Sequence, residues 1–319
     1  MLRAWMRDLE VKFTSQLGKN GKTKQYVFGG NWKRNEEDLS IDVSLDKYMS
    51  TLKDKCVIKI KNLTYYELVN IVEGQFFNVE VIAGYRNGNA QTIFRGGVIY
   101  VSNQINDSKT TTAIFLCGSY MVATFGQTRL NLSLNSGINM YTAINFALRR
   151  SGVTDANIST QLKKQMISEI ENITSNSANW IDSLTNRFDD LIVNSDSSVK
   201  GSNINIFNAK RSNQRVIRLT KDNILMTGGP PRLTNDGLEL NLLPTFNFMC
   251  GDTVNIDNAL IDISISSTSQ IGNNFGFYLD KEGNYMILEA HYRLTNRSNE
   301  YSIQLLCKSR SLISNFVGK

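Results

Sequence analysis

Histidine is almost missing from this chain: His291 is the one copy in 319 residues. A multi-histidine metal centre is thereby excluded, and any Ser-His or Cys-His scheme would rest on that single side chain. Proline is nearly as scarce, with three residues, two of them in Gly228-Gly229-Pro230-Pro231. The four cysteines, Cys56, Cys117, Cys250 and Cys307, stand far apart, form no Cys-x-x-Cys pair and have no histidine near enough to complete a zinc ligand set. They read as free, mostly buried thiols. Long apolar runs are lacking too: no stretch reaches the length that spans a bilayer, and Met1 to Asp8 holds no apolar signal core. Synthesis and folding in a cytoplasm are therefore expected. Triplets such as Asn62-Leu63-Thr64 and Asn131-Leu132-Ser133 are then chance products of an Asn-rich sequence.

What is present is an ordinary globular composition. Hydrophobic residues make up 41% and charged residues 20%, so a chain of this length can bury a core in each of two or three compact units. Thirty-five Lys+Arg against 29 Asp+Glu leave a formal charge of +6, gathered into no block of like charges. A generic soluble surface accounts for that better than contact with a polyanion does.

From residue 9 to about 130 the pattern is alternation. Leu9, Val11 and Phe13, then Ile41, Val43 and Leu45, then Ile58 and Ile60 are each separated by polar residues, as half-buried strands require. Turns are expected at Gly18-Lys19-Asn20-Gly21, at Asn87-Gly88 and at Asn106-Asp107. Thr64-Tyr65-Tyr66-Glu67 has capping-box spacing before Leu68, Ile71 and Val72, which predicts one short helix.

The period then changes. After Ser136-Gly137, the residues Ile138, Tyr141, Ile144 and Leu148 share a helical face that ends at Arg149 and Arg150. Similar spacing predicts a second helix after Ser159 through Leu162, Met166, Ile170 and Ile173, and a third after Ser177 through Trp180, Leu184, Phe188 and Leu191. Past Asn194-Ser195-Asp196-Ser197-Ser198 alternation returns: Ile204 and Ile206, Val216 and Ile217, Leu238, Leu240 and Leu242, Val254 and Ile256, Ile261, Ile263 and Ile265, Ile303 and Leu305. The organisation expected is a β-rich unit over 1–132, a helical insert over 133–193 and a second β-rich unit over 194–319. No close repeat links the two β units, though two related barrels could be hidden in this arrangement.

Chemistry is harder to find. His291 lies between Ala290 and Tyr292 in an expected strand, with no acidic orienting group in a motif around it, so it reads as structural or interfacial. The densest acidic clusters, Glu36-Glu37-Asp38 and Asp189-Asp190, would suit paired-carboxylate chemistry but read as solvated. Arg95-Gly96-Gly97 falls between strands and not ahead of a helix, so it offers no phosphate cradle. Lys24-Gln25-Tyr26 and His291-Tyr292-Arg293 are too sparse to specify nucleic-acid reading. No catalytic, cofactor-binding or metal-binding residue is assigned, no cofactor is expected, and the chain reads as an assembly protein, not an enzyme.

Two stretches resemble a known family. Val79-Glu80-Val81-Ile82-Ala83-Gly84-Tyr85, Ile93-Phe94-Arg95-Gly96-Gly97-Val98-Ile99 and Thr111-Thr112-Ala113-Ile114-Phe115-Leu116-Cys117 form the first. Thr227-Gly228-Gly229-Pro230-Pro231, Gly237-Leu238-Glu239-Leu240-Asn241-Leu242-Leu243-Pro244 and Cys250-Gly251-Asp252-Thr253-Val254 form the second. Both are similar to the tail baseplate hub proteins of tailed bacteriophages, especially those with contractile tails. Gly283-Asn284-Tyr285 to His291 resembles the family's last hairpin, except that Leu294-Thr295-Asn296-Arg297 replaces a usual Gly-Asp pair. The resemblance implies a mainly β fold of class α+β, with two tube-like antiparallel β-barrels flanking a helical middle. It implies a homotrimer whose six barrels form a ring matching a sixfold tail tube. The partners implied are tail tube proteins, the central spike and other baseplate proteins, with DNA passing through the channel unread, in a virion assembled in the host cytoplasm. A cell-wall-degrading tail enzyme and a hexameric tail-tube or adaptor protein are the alternatives.

Overall fold

In a computed structural model of the chain, the described residues are 7–15, 23–29, 39–49, 54–74, 76–85, 90–105, 111–119, 129–150, 156–168, 171–176, 191–195, 204–208, 215–220, 229–234, 236–263 and 279–310. The first part holds β1 (Arg7–Thr14), β2 (Gln25–Gly29), β3 (Ser40–Tyr48), β4 (Lys55–Lys61), α1 (Tyr65–Glu73), β5 (Asn78–Tyr85), β6 (Gln91–Ile105) and β7 (Thr111–Ser119). The middle holds β8 (Arg129–Leu134), α2 (Met140–Arg150), β9 (Ala156–Ile158), a 3-10 turn (Thr160–Lys164), β10 (Glu171–Asn176), β11 (Leu191–Ser195) and β12 (Ile204–Asn208). The last part holds β13 (Val216–Arg218), β14 (Arg232–Leu233), β15 (Leu238–Leu242), β16 (Thr253–Asn255), a 3-10 turn (Asn258–Leu260), β17 (Asp262–Ile263), β18 (Asn284–Thr295) and β19 (Tyr301–Ser309).

Alternation becomes burial as expected. Leu9, Val11 and Phe13 of β1, Ile41, Val43 and Leu45 of β3, and Leu238, Leu240 and Leu242 of β15 all face the core. Helix α1 starts where the capping box places it. Thr64 Oγ1 accepts from the Glu67 N–H at 3.2 Å, and Glu67 Oε2 accepts from the Thr64 N–H at 3.1 Å. The helix buries Leu68 and Ile71. The turns at Gly18-Lys19-Asn20-Gly21, Asn87-Gly88 and Asn106-Asp107 lie outside the described residues, while the strands they separate pair antiparallel.

The chain is mainly β with two helices among the described residues, whose strands outside the middle part are linked in a single sheet and are not separated there into two barrels. They form one open sheet of 14 strands in the order β17-β14-β15-β19-β18-β3-β4-β7-β6-β5-β1-β2, with β16 on β18 and β13 on β16. One continuous hydrophobic core, from Leu9 to Cys307, lies beneath both parts. The join is antiparallel pairing of β18 with β3, from Glu289 opposite Tyr48 to Thr295 opposite Asp42.

A repeat that the residues do not show is present in the pairing. The order β3-β4-β7-β6-β5-β1 in the first part recurs as β14-β15-β19-β18-β16-β13 in the last, except that β5 and β1 run antiparallel and β16 and β13 parallel. Both versions pass through a long strand that bulges: β6 shifts register between Val98 and Tyr100, and β18 between Ile287 and Glu289. At each bulge the set of strands beside it changes. Along one edge β18 changes from β16 to β3, while β6 leaves β5 as it joins β7. Arg95-Gly96-Gly97, expected between strands, sits inside β6 at this exchange, where a Cβ on Gly96 would lie 2.1 Å from the Gly118 carbonyl oxygen. Glycine lets the two backbones approach.

The middle part has its own core. Leu132, Leu134, Met140, Ala143, Ile144, Ala147, Leu148, Leu162, Ile167 and Ile206 form a second buried cluster. Helix α2 is the expected one, with Arg149 and Arg150 in its last turn. The helix expected after Ser159 is corrected: a 3-10 turn spans Thr160–Lys164, and Glu171–Asn176 is strand β10, with Ile173 opposite Leu132 of β8. Ile173 sits between Asn172 and Thr174, an alternation that suits a strand once β8 supplies the ladder partner. Of the third expected helix, residues 177–190 lie outside the described residues, and Leu191 begins a strand. The middle is thus a mixed α and β segment among the described residues.

Candidate functional site

The functional features converge on the seam between β18 and β3, where the two repeated halves meet. Residues on each strand alternate between the two faces, so Asp46, His291 and Arg293 project outward while Lys47 and Tyr292 project inward.

On the outer face, His291 Nδ1 lies 2.9 Å from Asp46 Oδ1 and Nε2 lies 3.0 Å from Glu289 Oε2. Arg293 Nη1 is 2.7 Å from the same Asp46 oxygen, and the Tyr48 ring meets the imidazole edge-on at 5.6 Å. Both ring nitrogens are engaged, which leaves neither to activate a nucleophile. Partial burial pushes the Asp46 carboxyl upward, but hydrogen bonds from His291 and Arg293 outweigh it and hold that carboxyl below its usual range. The residue that sequence reasoning took as structural is a clamp between halves. Its acidic partners were missed: Asp46 is 245 positions away, and Glu289 becomes a neighbour only because residues two apart share a strand face.

On the inner face, the buried Lys47 Nζ donates to Asn247 Oδ1 at 3.0 Å and to the Phe248 carbonyl at 3.4 Å, and lies 5.2 Å from the centre of the Tyr292 ring. The Tyr292 hydroxyl accepts from the Phe248 N–H at 2.9 Å and donates to the Phe248 carbonyl at 3.1 Å. Arg215 donates to the Asn247 carbonyl and pairs with Asp252 Oδ2 at 2.6 Å. Burial pushes the Asp252 carboxyl above its usual range, and Arg215 pulls back part of that rise. This polar nest fixes the connector between β15 and β16 over the seam.

Two side chains extend the stitching. Asn296, within the run that departs from the family pattern, accepts from the Ile41 N–H at 2.9 Å and donates to the Leu39 carbonyl at 2.7 Å. The Tyr301 hydroxyl accepts from the Gly84 N–H at 2.9 Å and has two carbonyls in reach of its one proton, Asp8 at 2.7 Å and Gly84 at 2.8 Å. The last hairpin is thereby tied to β1, β3 and β5.

Among the described residues, the other candidates form no comparable cluster. Glu36-Glu37-Asp38 and Asp189-Asp190 lie outside the described residues. Tyr26 turns from Lys24 and Gln25 to pack edge-on against Phe76, and Tyr292 faces the opposite way from His291 and Arg293. All four cysteines are buried and free, and burial pushes every thiol upward, away from the reactive thiolate. Among the described residues, no group of three or more His, Cys, Asp or Glu is placed to hold a metal ion, and no helix is long and apolar enough to cross a membrane.

No family model matches the sequence, and no curated protein matches it. Solved structures do match. The 43 kDa tail protein of prophage MuSo2 from Shewanella oneidensis is similar at a TM-score of 0.56 and 8% identity, over 95% of this chain and 97% of that one. A tail protein from Neisseria meningitidis is similar at 0.54 and 8% identity, over 95% and 96%. An Escherichia coli type VI secretion component, itself described as structurally similar to bacteriophage tail proteins, is similar at 0.53 and 8% identity, over 86% and 75%. At such identities the likeness is one of fold, and the fold of this chain is that of phage tail proteins.

Proposed function

We propose that the chain is a structural hub of a phage tail baseplate, three copies of which form a ring that joins the tail tube to the central spike around the DNA channel. The observation that carries this reading is the twice-used strand order within one sheet, on a fold shared with tail proteins over nearly the whole chain. Two similar halves per chain convert three copies into six similar positions, the number a sixfold tube presents. The clamped histidine and the buried thiols agree with a scaffold whose polar groups serve assembly. The units proposed along the chain are 1–132, 133–193 and 194–319, with the insert's core reaching Leu132 and Ile206 across both boundaries. The site of action proposed is the virion tail, after assembly in the host cytoplasm.

Electron microscopy of the purified chain tests the reading. Rings of three two-part subunits are expected, and they should bind tail tube and spike proteins. Rings of six whole subunits would favour a tube or adaptor protein. A chain that stays monomeric and ignores both partners would overturn the hub. Release of soluble fragments from peptidoglycan, lost on Glu36→Gln or Glu37→Gln, would replace it with a cell-wall-degrading enzyme.

A further inference from the structure

Lys47 and Asn247 face each other beneath the seam in a setting that suits more than a hydrogen bond. The lysine is 3% exposed and the asparagine 5%, so the pair sits away from water. Nζ lies 3.0 Å from Oδ1, which puts the amide Cγ no more than about 4.2 Å from the amine, one C=O bond length further. Neither partner is free to turn away. Arg215 donates to the Asn247 carbonyl, the Tyr292 hydroxyl holds Phe248 by both its N–H and its carbonyl, and that carbonyl also accepts from Lys47 Nζ at 3.4 Å. The Tyr292 ring closes one side at 5.2 Å from Nζ. A buried carboxyl belongs to the same surroundings: Asp54 is 6% exposed, and its charge and that of Lys47 both act on the Cys56 and Cys250 thiols. An amine, a carboxamide and a carboxyl held together in a dry core are the two reactants and the proton carrier of an amide exchange.

We propose that Lys47 and Asn247 join covalently, through an isopeptide bond from Nζ to Cγ that ties the first half of the chain to the last. Asp54 takes one proton from the Lys47 ammonium, and the freed amine attacks Cγ. The Nζ–Cγ bond forms as the Cγ–Nδ2 bond breaks. The proton shed by the new amide and the proton held by Asp54 both pass to the departing nitrogen, which leaves as ammonium. One ammonium and one carboxylate therefore stand on each side of the reaction, and no oxidant or cofactor enters it. Between free side chains in water this exchange is negligible; two groups fixed at contact distance react as parts of one molecule. The bond would link residues 200 positions apart, so the halves could not separate even where the ladder between β18 and β3 opens. It lies within one copy and does not depend on the ring reading above.

Intact-mass measurement of the purified full chain tests it. The chain should be lighter than its sequence by one ammonia, and trypsin, unable to cut after an acylated Lys47, should release one branched peptide that joins residues 47 and 247. On a denaturing gel the chain should run ahead of Lys47→Arg, which keeps a cation and cannot form the bond. Asp54→Asn separates the chemistry from the fold. It should show native near-ultraviolet circular dichroism yet retain the ammonia that the unaltered chain has lost, its bond forming about a hundredfold more slowly. An Asp54→Asn chain as fully cross-linked as the unaltered one would overturn the part given to Asp54. A folded, unaltered chain that keeps its full mass through prolonged incubation, or that loses ammonia without yielding the branched peptide, would overturn the bond itself.

Discussion

The two long strands β6 and β18 make the instructive comparison. They hold the same place in the repeated order, and each bulges where it changes neighbours. Past its bulge β18 buries Ala290, Tyr292 and Leu294, whereas β6 past its bulge exposes Tyr100 and Ile105. Composition does not separate them, since both stretches carry tyrosine and branched aliphatics. The difference is the neighbour: β18 has β3 along its edge and the 247–248 connector above it, and β6 has an open groove. Burial of a strand in this fold is conferred by the half beside it.

The sharpest way to break the comparison is to remove one tyrosine from each strand. Tyr292→Ala should cost about 3–5 kcal/mol, because it empties a fully buried site and strips both hydrogen bonds from Phe248. Tyr100→Ala should stay within about 0.5 kcal/mol. Urea denaturation of both variants checks the pair, and equal effects would show that the two strands are alike after all. A second contrast concerns the buried cation at the seam. Lys47→Ala leaves Asn247 Oδ1 without this donor and should cost about 1–3 kcal/mol. Lys47→Met, which keeps the stem and drops the charge, should cost less. Unfolding in one step for all these variants would confirm that the halves melt together.

Thr64→Ala removes the cap of α1, which the last part replaces with a hydrogen-bonded connector, and should cost about 1 kcal/mol in thermal or chemical unfolding. The least effect is expected in acid. Because the folded-state pKa of Asp46 lies below its ordinary value of about 3.9, its contribution is present above that pH and fades as pH falls through the folded value. Asp46→Asn should therefore flatten the acid limb of a stability-versus-pH curve. Glu80, held low by Thr92 and Arg95 against its own partial burial, gives the within-half counterpart through Glu80→Gln. If only the Glu80 variant flattens the limb, the seam carries no proton-linked stability.

Local features were legible in the sequence and distant ones were not. The capping box at Thr64 and Glu67, the alternation of Leu238, Leu240 and Leu242, and the face of α2 all lie within a few residues of one another, so spacing alone specifies them. Ile173 was misread because four-residue apolar spacing fits a helix equally well until β8 is known to lie opposite. The seam was hidden for the same reason at longer range: nothing near His291 announces Asp46, and nothing near Lys47 announces Asn247. The repeat is hidden because pairing order survives where residue identity does not.

The join of β18 to β3 also sets a clock. Asp46 must wait for His291, made 245 residues later, so at about 5–20 residues per second the edge of β3 stands open for roughly ten to fifty seconds during synthesis. Through that interval the nascent chain presents an unpaired strand to anything that can add to it, including the same strand on a neighbouring ribosome's product. Production of this protein should accordingly depend on widely spaced ribosomes or on a holdase, and the yield of soluble chain should fall steeply as its message is translated more heavily.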